Sequence, residues 1–154
     1  MVTHGGFYNQ PIEILLVEDN PGDVRLTMEI FRESGFECQI AIVNDGVEAM
    51  AYLHRIGEFR HAQLPDLILL DLNLPRKDGR AVLTEIKSDP DLQHIPVIVL
   101  TSSDAEEDIC HAYKLHANCY LAKPANFEEL LLVMRLLKDF WFTAAKLPPR
   151  KRQE

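Results

Sequence analysis

Five short apolar runs, each parted from the next by a longer amphipathic stretch, constrain this chain more than any other feature. They are residues 12–17 (IEILLV), 39–43 (QIAIV), 66–70 (DLILL), 96–100 (PVIVL) and 119–122 (CYLA). Brevity, unbroken apolar character and β-branched content suit strands buried on both faces, as in a parallel sheet. The stretches between them read as helices. Residues 24–33 follow Asp23 as an N-cap, 47–55 follow the turn Asn44-Asp45-Gly46, and 80–87 follow Gly79. Ser103-x-x-Glu106 is a capping-box pattern ahead of a fourth helix. Asn126 precedes a fifth, which starts near Phe127 and reads helical through Phe142 or beyond. Strict βα alternation predicts an α/β fold, a doubly wound five-stranded parallel sheet with five helices and right-handed crossovers. The five-stranded member of that class has strand order 2-1-3-4-5, and its ligand sits outside the C-terminal ends of strands 1 and 3.

At 154 residues the chain has the length of one domain. Residues 1–10 read as an N-terminal arm, 11–147 as the domain with an extended C-terminal helix, and 148–154 as a basic tail. The net charge of −8 argues against a nucleic-acid binder, which would carry a basic face. Cys38, Cys110 and Cys119 are an odd number without CxxC spacing and read as small apolar fillers kept reduced. The first ten residues have neither the basic nor the apolar segment of a signal peptide. No apolar run reaches the ~18–20 residues a membrane helix needs. A cytoplasmic protein without a membrane partner is therefore expected.

What ends each strand carries the chemistry. The first runs into Glu18-Asp19 and the third into Asp71, so the switch-point rule brings three carboxylates to one rim. Two carboxylates ~4 Å apart repel by about 4 kcal/mol at an effective dielectric of 20. A hard divalent cation would relieve this, and Mg²⁺ favours few carboxylates with several waters. The six histidines are scattered and form no zinc pattern. The fourth strand ends at Thr101-Ser102-Ser103 and the fifth leads to Lys123-Pro124, adding a hydroxyl and an ammonium. Acids for a metal, a carboxylate nucleophile and a Lys/Thr pair for phosphate oxygens make a phosphoryl-transfer site. Each has a plainer reading: Glu18 and Asp19 as turn acids, Thr101 as a turn residue, Lys123 as a surface lysine. Their joint occurrence at the ends of strands 1, 3, 4 and 5 favours the functional one.

The ordered set Glu18-Asp19, Asp71, Thr101 and Lys123-Pro124 resembles the response-regulator receiver family across residues 11–142. The resemblance implies a flavodoxin-like receiver fold with Asp71 as phosphoacceptor. It implies Mg²⁺ held by Asp19, Asp71 and the backbone carbonyl of Asn73, with Glu18 acting through a metal-bound water. Mn²⁺ or Ca²⁺ could substitute in vitro. Thr101 and Lys123 would hold phosphoryl oxygens, and a cis Lys123–Pro124 peptide would aim the lysine. Tyr120 matches the family's rotating aromatic, although it also reads as a half-buried strand tyrosine. Thr101 and Tyr120 would then switch the surface of the fourth helix, fifth strand and fifth helix. NPGDVRL, DLNLPRKDGR, the long stretch 56–65 and a late FW before LP further resemble single-domain regulators paired with cyanobacterial phytochromes. That implies a phytochrome-type sensor histidine kinase as partner. FWFTAAKLP departs from the subgroup in being less aliphatic before LP.

On the fifth helix Leu130, Val133, Met134, Leu137, Trp141 and Ala144 share one face at 100° per residue, the predicted core face. Leu132, Leu136 and Phe140 widen the apolar arc beyond the ~100° that one core contact needs. Burial by the tail would explain them, and so would an exposed interface for a homodimer. Two rivals fail at named residues. An aspartyl-nucleophile phosphatase needs an acid two positions after Asp71, where Asn73 stands. A flavin carrier needs a hydroxyl- and glycine-rich loop where Glu18-Asp19-Asn20 would repel phosphate. The chain is expected not to be an enzyme in its own right. A phosphorelay intermediate and a chemotaxis-type regulator stay open as alternatives to a regulator that binds a target.

Overall fold

The computed structural model describes residues 11–33 and 37–150, so the expected N-terminal arm and residues 151–154 lie outside the described residues. Strands β1 (Ile12–Val17), β2 (Cys38–Val43), β3 (Leu67–Leu70), β4 (Val97–Thr101) and β5 (Cys119–Ala122) form one parallel sheet in the order β2-β1-β3-β4-β5. Helices α1 (Pro21–Arg32), α2 (Gly46–Leu53), α3 (Gly79–Ser88), α4 (Glu106–Lys114) and α5 (Phe127–Asp139) connect and follow the strands. The predicted doubly wound fold is what forms.

Period-2 alternation divides the core between the two faces of the sheet. Leu15, Val17, Ile68, Leu70, Val97 and Val99 pack toward Met50, Leu83, Ile86 and Ala112, on the side of α2, α3 and α4. Ile14, Leu16, Leu67, Leu69, Ile98 and Leu100 pack toward Leu26, Ile30, Phe31, Met134 and Leu137, from α1 and α5. At about 1.5–3 kcal/mol per fully buried aliphatic side chain, the central strands are anchored from both sides. The rim they carry is correspondingly fixed.

The helix starts correct two sequence expectations. α1 begins earlier than predicted, because Asn20 is the cap: its Oδ1 accepts the N–H groups of Gly22 (2.9 Å) and Asp23 (3.1 Å). Pro21 fills the first helical position, where a missing N–H costs nothing. Asp23 is thereby moved from cap to first turn, leaving its carboxylate free for tertiary contact. The capping box at Ser103 does not form either. Ser103 Oγ donates to Asp108 at 2.6 Å, and α4 starts three residues later behind Ala105, which makes no side-chain cap.

The C-terminal helix departs from its predicted phase. After Asp139 the backbone widens into a π turn, Phe140–Ala144, closed by the Ala145 N–H on the Phe140 carbonyl at 2.8 Å. The i→i+5 spacing turns the chain less per residue than the 100° assumed from sequence. Ala144 is therefore exposed, and Phe142 is buried with its ring 5.3 Å from Phe31. Leu147 packs on the same cluster. Arg150, in the expected basic tail, turns back to the N-terminal edge of the sheet, where it binds Asp66 (2.5 Å) and the Pro11 carbonyl (2.6 Å).

Candidate functional site

Strand register brings the predicted residues together. Val17 lies beside Leu70, and the Asp71 N–H donates to the Val17 carbonyl at 3.0 Å, so the next residues of β1 and β3 emerge side by side. Thr101 pairs with Ala122, and the Lys123 N–H bonds the Thr101 carbonyl at 2.7 Å. Glu18, Asp71 and Thr101 are buried, whereas Asp19 is exposed.

Asp71 is held by donors on both carboxylate oxygens. Oδ1 accepts the Thr101 hydroxyl (2.9 Å) and the Asn73 backbone N–H (3.0 Å), while Oδ2 accepts Lys123 Nζ at 3.2 Å. The Asn73 side-chain amide donates in turn to Thr101 Oγ1 at 3.4 Å. Lys123 Nζ also binds Glu18 (2.5 Å) and Asp23 (2.9 Å), so one ammonium serves three carboxylates. No cis peptide occurs among the described residues. The Lys123–Pro124 bond is trans, against the expectation, and the long lysine side chain reaches its three partners from that geometry.

Burial pushes the Glu18 carboxyl up to about 7, an effect that Lys123 opposes and the charge of Asp71 adds to. For Lys123, burial works against the ammonium, but its bonds to Glu18 and Asp23 outweigh that and hold its pKa above the ordinary value. Glu18, Asp19, Asp23 and Asp71 set four carboxylates against a single ammonium. Glu18, Asp19 and Asp71 each offer an oxygen, all within 4.8 Å of one another. An all-oxygen donor set with excess negative charge fits a hard divalent cation.

Glycine lets the neighbouring loop close on this rim. A Cβ on Gly79 would stand 2.3 Å from the Asp71 carbonyl oxygen, so only glycine allows α3 to start against the acceptor's backbone. A Cβ on Gly46 would meet the Lys77 carbonyl at 2.1 Å. Arg76, at φ +66°, donates to Asp45 at 3.3 Å, which ties the β3–α3 loop to the start of α2.

A family model described as the response regulator receiver domain matches residues 14–135. The chain belongs to the response-regulator receiver family. Response regulator Rcp1 of Synechocystis sp. is 48% identical over 140 residues, covering 91% of this chain and 95% of Rcp1. The crystal structure of Rcp1 in its Mn²⁺-bound form superposes with a TM-score of 0.88 at 47% identity, over 90% of this chain and 100% of that one. The phosphorylated cyanobacterial phytochrome response regulator RcpA gives 0.88 at 51% identity, over 91% and 100%. A probable methanogenesis regulatory protein of Methanothrix harundinacea, FilR2, is 44% identical over 85% of this chain and 84% of its own length.

Among receiver features outside the acid site, Tyr120 lies on β5 with its hydroxyl donating to the Ser103 carbonyl at 2.8 Å. Burial raises its pKa. The loop it grips is braced from α3, because Arg80 bonds Asp108 at 3.0 Å and Asp108 accepts from Ser103. Leu132, Leu136 and Phe140 are 58%, 60% and 54% exposed, away from the core as expected. Sequence reasoning missed Asp23 as a site residue. Asn20-Pro21 was the signal that could have found it, since a capping residue followed by proline is a strong helix start.

Proposed function

We propose that this receiver accepts a phosphoryl group on Asp71 from a phytochrome-type sensor histidine kinase and answers by changing its α4-β5-α5 surface. The observation that carries the reading is the Asp71 carboxylate itself. It is buried at the end of a central strand, bonded by Thr101 and Lys123, and set beside Glu18 and Asp19. An Asp71 oxygen attacks phosphorus, the P–N bond to the donor histidine breaks, and the imidazole nitrogen leaves with the electron pair. The Thr101 hydroxyl and Lys123 ammonium, both already on Asp71, turn to phosphoryl oxygens as they appear. Asp19, Asp71 and the Asn73 carbonyl would hold Mg²⁺, with Glu18 acting through a bound water. The ion supplies compensating positive charge to the transferred phosphoryl.

Thr101 can follow the phosphoryl only by moving within a packed core, which empties space against β4 and gives the Tyr120 ring somewhere to go. Phosphorylation adds about −1.5 to −2 charges where Asp71 had one, enough to redirect both donors. The similarity to Rcp1 and RcpA supports a phytochrome-type kinase, a cytoplasmic setting and a signalling rather than an enzymatic role. No helix among the described residues is long and apolar enough to cross a membrane. The apolar stripe Leu132, Leu136 and Phe140 supports a homodimer.

Labelling by acetyl phosphate with Mg²⁺ tests the site. Wild type takes up one phosphoryl group, Asp71→Asn takes up none, and excess chelator abolishes labelling. Full labelling of Asp71→Asn rejects the assignment. Phosphotransfer profiling against the source organism's histidine kinases tests the partner, and equally fast transfer from several unrelated kinases would reject it.

A further inference from the structure

We propose that Asp23 is a positioning residue that withholds part of the Lys123 charge from Asp71 and thereby limits how fast the site accepts a phosphoryl group. This rests on the reading of Asp71 as phosphoacceptor. An ammonium has three N–H donors and no more. In Lys123 all three are engaged, by Glu18 at 2.5 Å, Asp23 at 2.9 Å and Asp71 at 3.2 Å, so the acceptor has the longest of the three bonds.

The three partners differ in how easily they let go. Glu18 is 2% exposed, so bulk solvent does not replace the ammonium there. Asp71 is the reacting group. Asp23 stands at the rim with 27% of its side chain exposed, in the first turn of α1, where the helix N-terminus favours a carboxylate. Its backbone is fixed by the Asn20 cap and by the Thr27 hydroxyl on its carbonyl at 2.7 Å. Asp23 is therefore the partner that water can take over from Lys123. An arriving phosphoryl group competes with it for the ammonium, and its negative charge opposes an anionic donor.

Asp23→Asn separates charge from position, because the amide keeps an oxygen where the carboxylate accepted its bond. With acetyl phosphate at saturating Mg²⁺, the Asp71–phosphoryl bond forms as the P–O bond breaks and acetate leaves with the electron pair. Asp23→Asn is expected to be labelled roughly 5-fold faster than wild type, the scale of one partly screened charge at this range. Asp23→Glu keeps the slow rate. In a Lys123→Gln background there is no ammonium to compete for, so only the direct repulsion remains and adding Asp23→Asn gives a clearly smaller gain. Where Lys123→Gln is labelled too slowly to compare, titration with beryllofluoride and Mg²⁺ reads the same difference as analogue affinity. A purely structural role for Asp23 would lower the thermal midpoint and leave these ratios untouched. An unchanged or slower Asp23→Asn, or an equal gain without the ammonium, overturns the proposal. Failure of wild type to be labelled would instead reject the phosphoacceptor reading.

Discussion

Thr101 donates its hydroxyl hydrogen to Oδ1 of Asp71 across 2.9 Å, from a residue with no exposed surface. The same oxygen of Thr101 accepts the Asn73 amide, so a buried hydroxyl joins the central strand to the loop that follows it. Both bonds vanish in Thr101→Ala: Asp71 Oδ1 keeps only the Asn73 backbone N–H, and the exposed Asn73 amide turns to water. A hydrogen bond to a charged group contributes about 1.5–3 kcal/mol, and a loss of stability of that order is expected in denaturant titration. Labelling of Asp71 should continue, while the Tyr120 response to beryllofluoride, followed by fluorescence, disappears. Thr101→Ser restores the response, because it restores the hydroxyl.

Metal removal and pH act together through Glu18. Its folded pKa of about 7 stands above the ordinary 4.5, so the folded protein binds this proton more tightly than the unfolded chain. The resulting stability is fully present below pH 4.5 and is lost as pH rises through about 7. At about 1.4 kcal/mol per unit, the metal-free protein should lose on the order of 3 kcal/mol across that window. Glu18→Gln flattens the curve, and Mg²⁺ restores stability at the alkaline end by neutralising the acids that the proton no longer does. Thermal melts from pH 4 to pH 8, with and without chelator, check all three outcomes.

Gly79 and Gly57 make a matched contrast. Gly79→Ala drives a methyl group against the Asp71 carbonyl and the Leu72 Cα, at 2.3 Å and 2.6 Å before any relaxation. The start of α3 has to withdraw, at a cost of about 1–3 kcal/mol, and acetyl phosphate labelling should fall at least as sharply as stability. Gly57→Ala meets nothing within 4 Å, although φ there is +65°. It should cost about 1–2 kcal/mol from backbone conformation alone and leave labelling intact. Equal loss of labelling in both variants would contradict the placement of Gly79 against the acceptor.

The strands and the acids were legible because both depend on local pattern: apolar continuity names a buried parallel strand, and the next residue is the rim. Asp71, Thr101 and Lys123 could be placed without any knowledge of side-chain direction. Asp23 could not, since its partner Lys123 lies 100 residues away and reaches it only through tertiary packing. The face of Phe142 was likewise hidden, because one π turn resets the helical phase and no residue in FWFTA announces it. Ser103 was misread for a related reason. Its hydroxyl had two acceptable local fates, and the Arg80–Asp108 pair decided between them.

Self-association through α5 is the remaining prediction. Met134 and Leu137 are buried against the sheet, while Leu132, Leu136 and Phe140 stay more than half exposed on the other side of the helix. The edge-on packing of Phe140 with Trp141, at 5.4 Å between ring centroids, presents a broad aromatic end to this stripe. Covering it with a symmetric copy would gain about 1.5–3 kcal/mol per buried side chain, before the cost of association is subtracted. A two-fold arrangement needs only this one patch, because an isologous interface is self-complementary. α5 follows directly on β5, which carries Tyr120, so phosphorylation and association should strengthen each other. Sedimentation at tens of micromolar should give a dimer that beryllofluoride tightens, and Leu136→Glu/Phe140→Glu should give a monomer that is still labelled on Asp71. A wild-type monomer in every state would remove the homodimer and assign the stripe to a different protein partner.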